Sequence, residues 1–126
     1  SPVMSAYGDI GGTMGTLLGA SKLALQEGAT RMYGAVTHNV FSPKRVEVKR
    51  KKKKDTRWKL VTAESQIKAA GIPIFTLDTL PRGDQYYKKH PYIRRVPYDK
   101  FMADLIMELI CVDGSVGGVM DRWSNS

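Results

Sequence analysis

Apolar and polar residues follow two periodicities along the chain, and their order predicts a mainly parallel α/β fold. Short apolar runs typical of strands alternate with stretches in which apolar residues recur at helical spacing. The predicted strands are 3–6, 30–38, 72–78 and 93–96, and the predicted helices are 15–26, 63–70 and one after Pro97 that contains 101–110. This alternation is expected of a mainly parallel sheet flanked by helices, and we expect a single domain over 1–126.

Helix ends are also marked in the sequence. Thr62 is a candidate cap for the second helix, which Gly71 would end. Asp99 is expected to cap the last helix, and 82–92 reads as a polar, turn-rich connection. The apolar face predicted for the last helix consists of Phe101, Met102, Leu105, Ile106, Leu109 and Ile110.

The net charge of +8 comes from one segment of the chain. Ten of the 20 Lys and Arg residues lie between 44 and 59 together with two acids, so the remainder is neutral overall. This concentration of charge indicates an insertion spanning 43–62. Alternating residues in "KRVEVKR" and "TRWKLV", on either side of a lysine run, predict an antiparallel hairpin.

A basic segment of this kind is typical of a solvated loop or of a surface that binds phosphate groups. Trp58 lies among the cations, where it can stack on a base, pack on a partner or anchor the hairpin to its own domain. We predict contact with RNA, with an acidic protein surface as the alternative. The predicted RNA-binding residues are Lys44, Arg45, Lys49, Arg50, Lys51, Lys52, Lys53, Lys54, Arg57, Trp58 and Lys59.

Other kinds of site find little support in the sequence. Cys111 is the single cysteine, which excludes an internal disulfide and favours a buried side chain in a reducing compartment. A structural role is favoured for His38 over that of a catalytic base, and Asp78, Asp84 and Asp99 show no metal-ligand spacing. No apolar run reaches transmembrane length and no secretory leader is visible, so we expect an intracellular protein without membrane insertion.

The stretch "YGDIGGTMGT" (7–16) joins the first predicted strand to the first predicted helix. Its glycines let backbone N–H groups converge, and the start of a helix adds positive potential, so such turns can bind phosphate. Thr13 and Thr16 add hydroxyl donors. The turn is expected at the carboxyl end of a parallel strand, where α/β sheets bind ligands. A turn that only reverses the chain is the alternative.

Four stretches in order carry a family resemblance: "DIGGTMGTL", "EGATRMYGAVTHNVFS", "IPIFTLDTLPR" and "VPYDKFMADLIMELICVDGSV". Together they resemble the C-terminal domain of ribose-phosphate pyrophosphokinases, the phosphoribosyl pyrophosphate (PRPP) synthetases. The first resembles that family's loop D-D-x-x-D-T-x-G-T-L, and the second resembles its G-A-x-x-V-Y-A-x-x-T-H-G-x-F-S. The resemblance covers nearly all of the chain except the basic segment, and it implies a type I phosphoribosyltransferase-like fold.

In that family the glycine-rich loop binds ribose 5-phosphate, so the resemblance implies a phosphate site in this chain. Thr13, Gly15 and Thr16 match the end of the loop that binds the 5-phosphate. Asp9 matches one of the two leading acids, which address the ribose hydroxyls.

Departures from the family pattern argue against catalysis. Gly8 and Gly12 stand where the family has carboxylates, and Asn39 replaces a glycine. Each lost charge-assisted hydrogen bond to the sugar costs about 1.5–3 kcal/mol. In the family, ATP binding and much of the catalytic apparatus come from a preceding homologous domain and from a flexible basic loop, and this chain shows only one domain. We therefore expect no catalytic residue, no cofactor and no metal, with Mg²⁺ needed only by an active enzyme.

Three functions follow as hypotheses. The favoured one is a non-catalytic structural or scaffold subunit of a larger assembly that contacts RNA, such as a ribonucleoprotein of which the mitochondrial ribosome is one example. The second is the C-terminal part or partner subunit of an active ribose-phosphate pyrophosphokinase. The third is a non-catalytic regulator that associates with active subunits of that enzyme.

Overall fold

The computed structural model describes residues 3–49, 56–110 and 123–124 of the 126-residue chain. The elements along these residues are β1 (Val3–Ile10), α1 (Gly15–Gln26), β2 (Arg31–His38), β3 (Lys44–Lys49), β4 (Thr56–Val61), α2 (Ala63–Ala70), β5 (Ile74–Leu77), α3 (Asp84–Lys89), β6 (Ile93–Arg95) and α4 (Tyr98–Ile110).

One sheet contains four parallel strands in the order β1-β2-β5-β6. β2 lies inside the sheet, and its residues from Met32 to Val36 are all buried, as expected of a strand covered on both faces. The strands alternate with helices that pack on the sheet. The predicted α/β class, with a mainly parallel sheet flanked by helices, is therefore confirmed.

Two apolar clusters form the core, one on each face of the sheet. The first lies between the sheet and α1 and α2 and contains Met14, Leu18, Met32, Val36, Phe41, Ala63, Ile67, Ile72, Ile74 and Ile93. The second involves α4 and contains Tyr33, Ala35, Phe75, Leu77, Val96, Phe101 and Trp123. β2 contributes to both clusters because successive side chains of a strand point to opposite faces.

The ends of α2 lie where the sequence predicts them. Thr62 precedes the helix, and its Oγ1 accepts a hydrogen bond from the Ser65 N–H at 3.1 Å. Gly71 ends the helix in the left-handed conformation, with a φ of 67°. Both ends depend on one side chain or one glycine, which is why the local sequence was sufficient to predict them.

Other element bounds differ from the prediction. The segment 82–92 contains α3, whose tyrosines pack against the first cluster. A helix of six residues is too short to be recognised from the periodicity of the sequence. β1 continues past Ala6 to Ile10, because it pairs with β2 as far as Ile10. Asp99 lies in the first turn of α4, one residue inside the helix, and not at its cap.

β3 and β4 pair antiparallel with each other, apart from the main sheet, as the alternating sequence predicted. All of β3 is exposed, and so are the β4 residues 57–60. The predicted RNA-binding residues Arg50, Lys51, Lys52, Lys53 and Lys54 lie outside the described residues, as does Cys111.

The apolar face predicted for α4 is confirmed in its first turns. Phe101 is fully buried, and Met102 packs against the second cluster. The other predicted members of this face have side chains outside the described part of the structure: Leu105, Ile106, Leu109 and Ile110. Among the residues that are described, no helix is long and apolar enough to cross a membrane.

Candidate functional site

The glycine turn, residues 11–14, joins β1 to α1 at the carboxyl end of the parallel sheet. The 39–42 segment, which follows β2, runs beside it. The Gly11 N–H donates to the His38 carbonyl at 2.7 Å, and the Gly11 carbonyl accepts from the Phe41 N–H at 2.5 Å. These hydrogen bonds join the turn to the chain that leads into β3.

Close packing requires a glycine at position 11. A Cβ there would lie 2.9 Å from Val36 Cγ2 and 3.1 Å from Phe41 Cε1. Both neighbours belong to the buried first cluster, so neither can move without disturbing the core. The glycine therefore allows the turn to pass close to the 39–42 segment.

The N-terminus of α1 faces the same edge of the sheet. Met14 precedes the helix in the left-handed conformation, with a φ of 69°, and no described side chain caps this end. The first N–H groups of a helix have no intrahelical acceptor. Together with the helix dipole, they favour an anion at this position.

A cleft of about 450 Å³ lies over the turn and the first turn of α1. Its lining includes Thr13, Gly15 and Thr16, the residues that match the phosphate-binding end of the family's loop. Asp9 is not among the described lining residues. The structure thus brings together the three predicted phosphate-site residues and leaves the predicted sugar-binding acid apart from them.

Asp9 lies instead near the end of β2. Its carboxylate is 75% exposed, and its Oδ1 lies 3.9 Å from His38 Nε2. His38 is itself half exposed at the end of its strand. This long, solvent-exposed pair is too weak to fix either side chain for catalysis.

Lys44, the first residue of β3, brings a cation to the glycine turn. Its Nζ lies 3.8 Å from the point that a Cβ of residue 15 would occupy. The sequence predicted Lys44 as an RNA-binding residue and Gly15 as a phosphate-site residue, but not that the two meet. Parallel pairing of β1 with β2 places the carboxyl ends of both strands at one edge of the sheet. The predicted parallel sheet was therefore the one feature from which this proximity could have been expected.

Asn39 joins the exits of β2 and β5 through a buried polar network. Its amide donates to Asp78 Oδ1 and to the Leu80 carbonyl, both at 3.3 Å. Its carbonyl oxygen accepts from the Leu80 N–H at 2.9 Å and from the Thr79 hydroxyl at 3.1 Å. Sequence reasoning noted Asn39 only as a departure from a family glycine and missed this role.

Tyr87 of α3 completes this network. Its hydroxyl donates to Asp78 Oδ1 at 2.7 Å. Burial, and then the hydrogen bond to that carboxylate, raise the pKa of Tyr87 above its ordinary range. The phenol therefore stays protonated and remains a donor to Asp78 at neutral pH.

Arg82 also holds the 39–42 segment, through its backbone carbonyls. Its Nη2 donates to the carbonyls of Asn39 and Val40, both at 2.8 Å. Its guanidinium carbon lies 5.8 Å from the Phe41 ring centroid and 5.0 Å from that of Tyr86. The 39–42 segment, which leads into β3, is therefore held in place by these contacts, and it lies on the side of the molecule that carries the glycine turn.

The basic hairpin, which consists of the paired strands 44–49 and 56–61, has cations on both faces. The strand register pairs Arg45 with Leu60 and Glu47 with Trp58, so these side chains share one face. The opposite face carries Lys44, Val46, Val48, Arg57, Lys59 and Val61. The predicted RNA-binding residues Lys44, Arg45, Lys49, Arg57, Trp58 and Lys59 are all on the hairpin and exposed.

Two of the three acids considered as metal ligands, Asp78 and Asp84, have protein partners among the described residues. Asp84 pairs with Arg95, whose hydrogen bond holds the pKa of Asp84 below its usual value, and Asp78 accepts from Asn39 and Tyr87. Within 3–49, 56–110 and 123–124, no group of three or more His, Cys, Asp or Glu side chains is placed to hold a metal ion. For Mg²⁺ with a sugar phosphate, residues 7–16 offer one carboxylate, and it stands apart from the cleft.

Comparison with known proteins gives no family: no protein-family model matches the chain, and no curated protein matches it. A function for this chain is therefore inferred from the geometry of the glycine turn and the basic hairpin, together with the resemblance of the four sequence stretches.

Proposed function

We propose that this chain is a non-catalytic domain resembling the C-terminal domain of PRPP synthetases, with a phosphoribosyltransferase-like fold and the basic hairpin as an insertion. In this proposal it serves as a structural or scaffold subunit of a larger intracellular assembly and contacts RNA through the hairpin. A ribonucleoprotein such as a mitochondrial ribosome is the kind of assembly that fits. Its other partners are protein subunits of that assembly.

The observation that carries this proposal is the exposure of the hairpin cations. Lys44, Arg45, Lys49, Arg57 and Lys59 are exposed on two paired strands, with Glu47 as the single acid among the described residues of those strands. Cations in this arrangement can neutralise several phosphates and release their counterions. Such binding is independent of sequence and suits a subunit held on folded RNA.

The form of the hairpin supports a role within an assembly. A two-stranded hairpin is marginally stable alone, and this one buries little of its surface on its own domain. Contact with a partner would cover its apolar residues and compensate its charges. Arg82 holds the 39–42 segment in place, and this segment leads directly into the hairpin.

Loss of sugar recognition supports the non-catalytic part of the proposal. Gly8 and Gly12 have no side chain to bind a ribose hydroxyl, and Asp9 lies outside the cleft. Two missing charge-assisted hydrogen bonds correspond to about 3–6 kcal/mol of binding free energy. A cleft with this deficit is suited to a phosphate group and poorly suited to ribose 5-phosphate.

Salt titration of RNA binding tests the proposal. Affinity is measured by fluorescence anisotropy for the wild type and for a variant with Lys49→Gln, Arg57→Gln and Lys59→Gln. If all three cations contact phosphates of a single strand, the slope of log K against log salt falls in magnitude by about 2. A control with Lys22→Gln, Lys68→Gln and Lys89→Gln removes the same charge from exposed helix positions and should keep the slope. The proposal would be overturned if RNA affinity did not change with salt concentration, or if the slope of log K against log salt were equal in the two variants.

A second candidate is favoured by the cleft over the glycine turn. Thr13, Gly15, Thr16 and the Lys44 amine form an arrangement suited to a phosphate. This would support a partner subunit or a regulator of an active ribose-phosphate pyrophosphokinase. Calorimetry with ribose 5-phosphate and Mg²⁺, compared with inorganic phosphate, distinguishes the candidates. Tighter binding of the sugar phosphate by tenfold or more, or co-purification with an active pyrophosphokinase subunit, would favour this second candidate.

A further inference from the structure

Trp58 is an exposed aromatic ring on an otherwise cationic hairpin. It is 56% exposed, and Leu60, two positions along the same face, is 64% exposed. A solvated charged loop has no need of a large apolar side chain in this position. Among the residues that the structure describes, the ring belongs to neither apolar cluster of the domain core.

Arg45 holds the ring at a defined place on the hairpin. Its guanidinium carbon lies 4.7 Å from the Trp58 ring centroid, within the range of a cation–π contact. The contact places a permanent positive charge beside an aromatic surface that remains more than half exposed. A ring with a cation next to it suits a base together with its own phosphate.

Two cations of β4 lie beside this ring in the chain. Arg57 and Lys59 flank Trp58 along β4, and a strand rises about 3.3 Å per residue. Their side chains project to the other face, but the hairpin is only two strands wide, with strands about 4.8 Å apart. A single nucleic-acid strand that crosses the edge of β4 therefore comes within reach of cations from both faces.

The state of the bases decides which RNA fits this surface. In an A-form duplex the bases are stacked on one another, the major groove is deep and narrow, and proteins contact phosphates and 2′-hydroxyls. An indole can stack only on a base that is unpaired and displaced from its neighbours. A duplex would use the hairpin cations and leave Trp58 without a contact.

We infer that the RNA bound by the basic hairpin is single-stranded, with an unpaired base stacked on the Trp58 ring beside Arg45. This inference rests on the proposed RNA-binding function and names the form of its ligand. Arg57, Lys59 and Lys49 supply the sequence-independent attraction to phosphates. Trp58 supplies the preference for a loop, bulge or end over a duplex.

Affinity measurements on matched RNAs test the inference. A single-stranded oligonucleotide and a duplex of equal length are titrated against the wild type, Trp58→Ala and Trp58→Phe. Since stacking on one side chain contributes about 1–3 kcal/mol, Trp58→Ala should weaken single-strand binding by about 5- to 140-fold. Duplex binding should change by less than twofold, and Trp58→Phe should keep most of the single-strand affinity. Tyr98→Ala, which removes an aromatic ring at least as exposed as Trp58 from the start of α4, is the control and should leave both affinities unchanged.

Tryptophan fluorescence gives a second measurement that does not depend on the alanine variant folding well. The chain has two tryptophans, and Trp123 is buried, so quenching by a stacked base reports on Trp58. The single strand should quench the emission of the wild type, while the duplex should not. In Trp58→Phe the quenching should disappear although binding persists.

The outcomes separate this inference from the proposed function. Salt-dependent binding with equal affinity for both RNA forms, no quenching and no effect of Trp58→Ala would overturn the inference and leave the RNA-binding function standing. If neither the single strand nor the duplex bound, both the inference and the proposed RNA-binding function would be overturned. A ring that instead packs on an acidic protein would give this second result.

Discussion

Replacement of Asn39 by alanine should destabilise the domain strongly, because the side chain is fully buried and serves several polar groups at once. Its carbonyl oxygen accepts from the Leu80 N–H and the Thr79 hydroxyl, and its amide donates to Asp78 and to the Leu80 carbonyl. Alanine removes all of these bonds and adds no partner in their place.

The magnitude follows from the groups left unpaired. A typical hydrogen bond contributes about 0.5–1.5 kcal/mol net, whereas a buried donor or acceptor left without a partner costs about 1–3 kcal/mol. Leu80 loses partners for both of its backbone groups but is about half exposed, so water replaces part of what is lost, and Asp78 keeps the Tyr87 hydroxyl. We therefore expect Asn39→Ala to lower the free energy of unfolding by about 2–4 kcal/mol, which corresponds to a melting temperature about 10 °C lower.

Urea denaturation followed by circular dichroism measures this change directly. Thr79→Ala is the matched control, since Thr79 is exposed and its hydroxyl makes one of the bonds to Asn39. It should cost about 0.5–1.5 kcal/mol. If Asn39→Ala lowers the free energy of unfolding by no more than Thr79→Ala does, the network does not join the exits of β2 and β5 as described.

Two further predictions concern the glycine turn and α3. Gly11→Ala should cost about 1–3 kcal/mol in urea denaturation, because its Cβ would lie 2.9 Å from a Val36 methyl, whereas Gly12→Ala meets nothing within 4 Å and should be nearly neutral. The pKa of Tyr87 is raised above its ordinary value of 10.0 by burial and then by Asp78, so its stabilising effect is present below pH 10 and is lost as the pH rises through the raised pKa. Tyr87→Phe should therefore reduce the fall in stability at alkaline pH, and an unchanged alkaline profile in that variant would contradict this assignment.

Some of the fold could be predicted because its signals are local. The cap at Thr62 and the glycine at position 71 define α2 within the helix and its neighbours. The alternation in residues 44–49 and 56–61 is sufficient to predict two strands, and their antiparallel pairing follows from a short connection. α3 was missed because six residues carry too little periodicity, and its stability depends on tyrosines that pack against distant parts of the chain.

The candidate site was only partly predictable for the same kind of reason. Thr13, Gly15 and Thr16 are close in sequence, and they also share the cleft. Asp9 is equally close in sequence but lies beside His38. The position of Asp9 depends on its neighbour at the end of β2, and the composition and residue spacing of the sequence do not show which strands are neighbours.

By itself, the sequence determined the α/β class, the hairpin strands, the location of the positive charge and the absence of side chains at Gly8 and Gly12. Only the tertiary structure decided that Lys44 reaches the glycine turn, that Asn39 joins two strand exits and that Trp58 remains exposed. The first group depends on residue identity and on interactions between near neighbours in the chain. The second depends on how strands and segments that lie tens of positions apart in the chain pack together or leave a side chain exposed, and this packing leaves no periodic signal in the sequence.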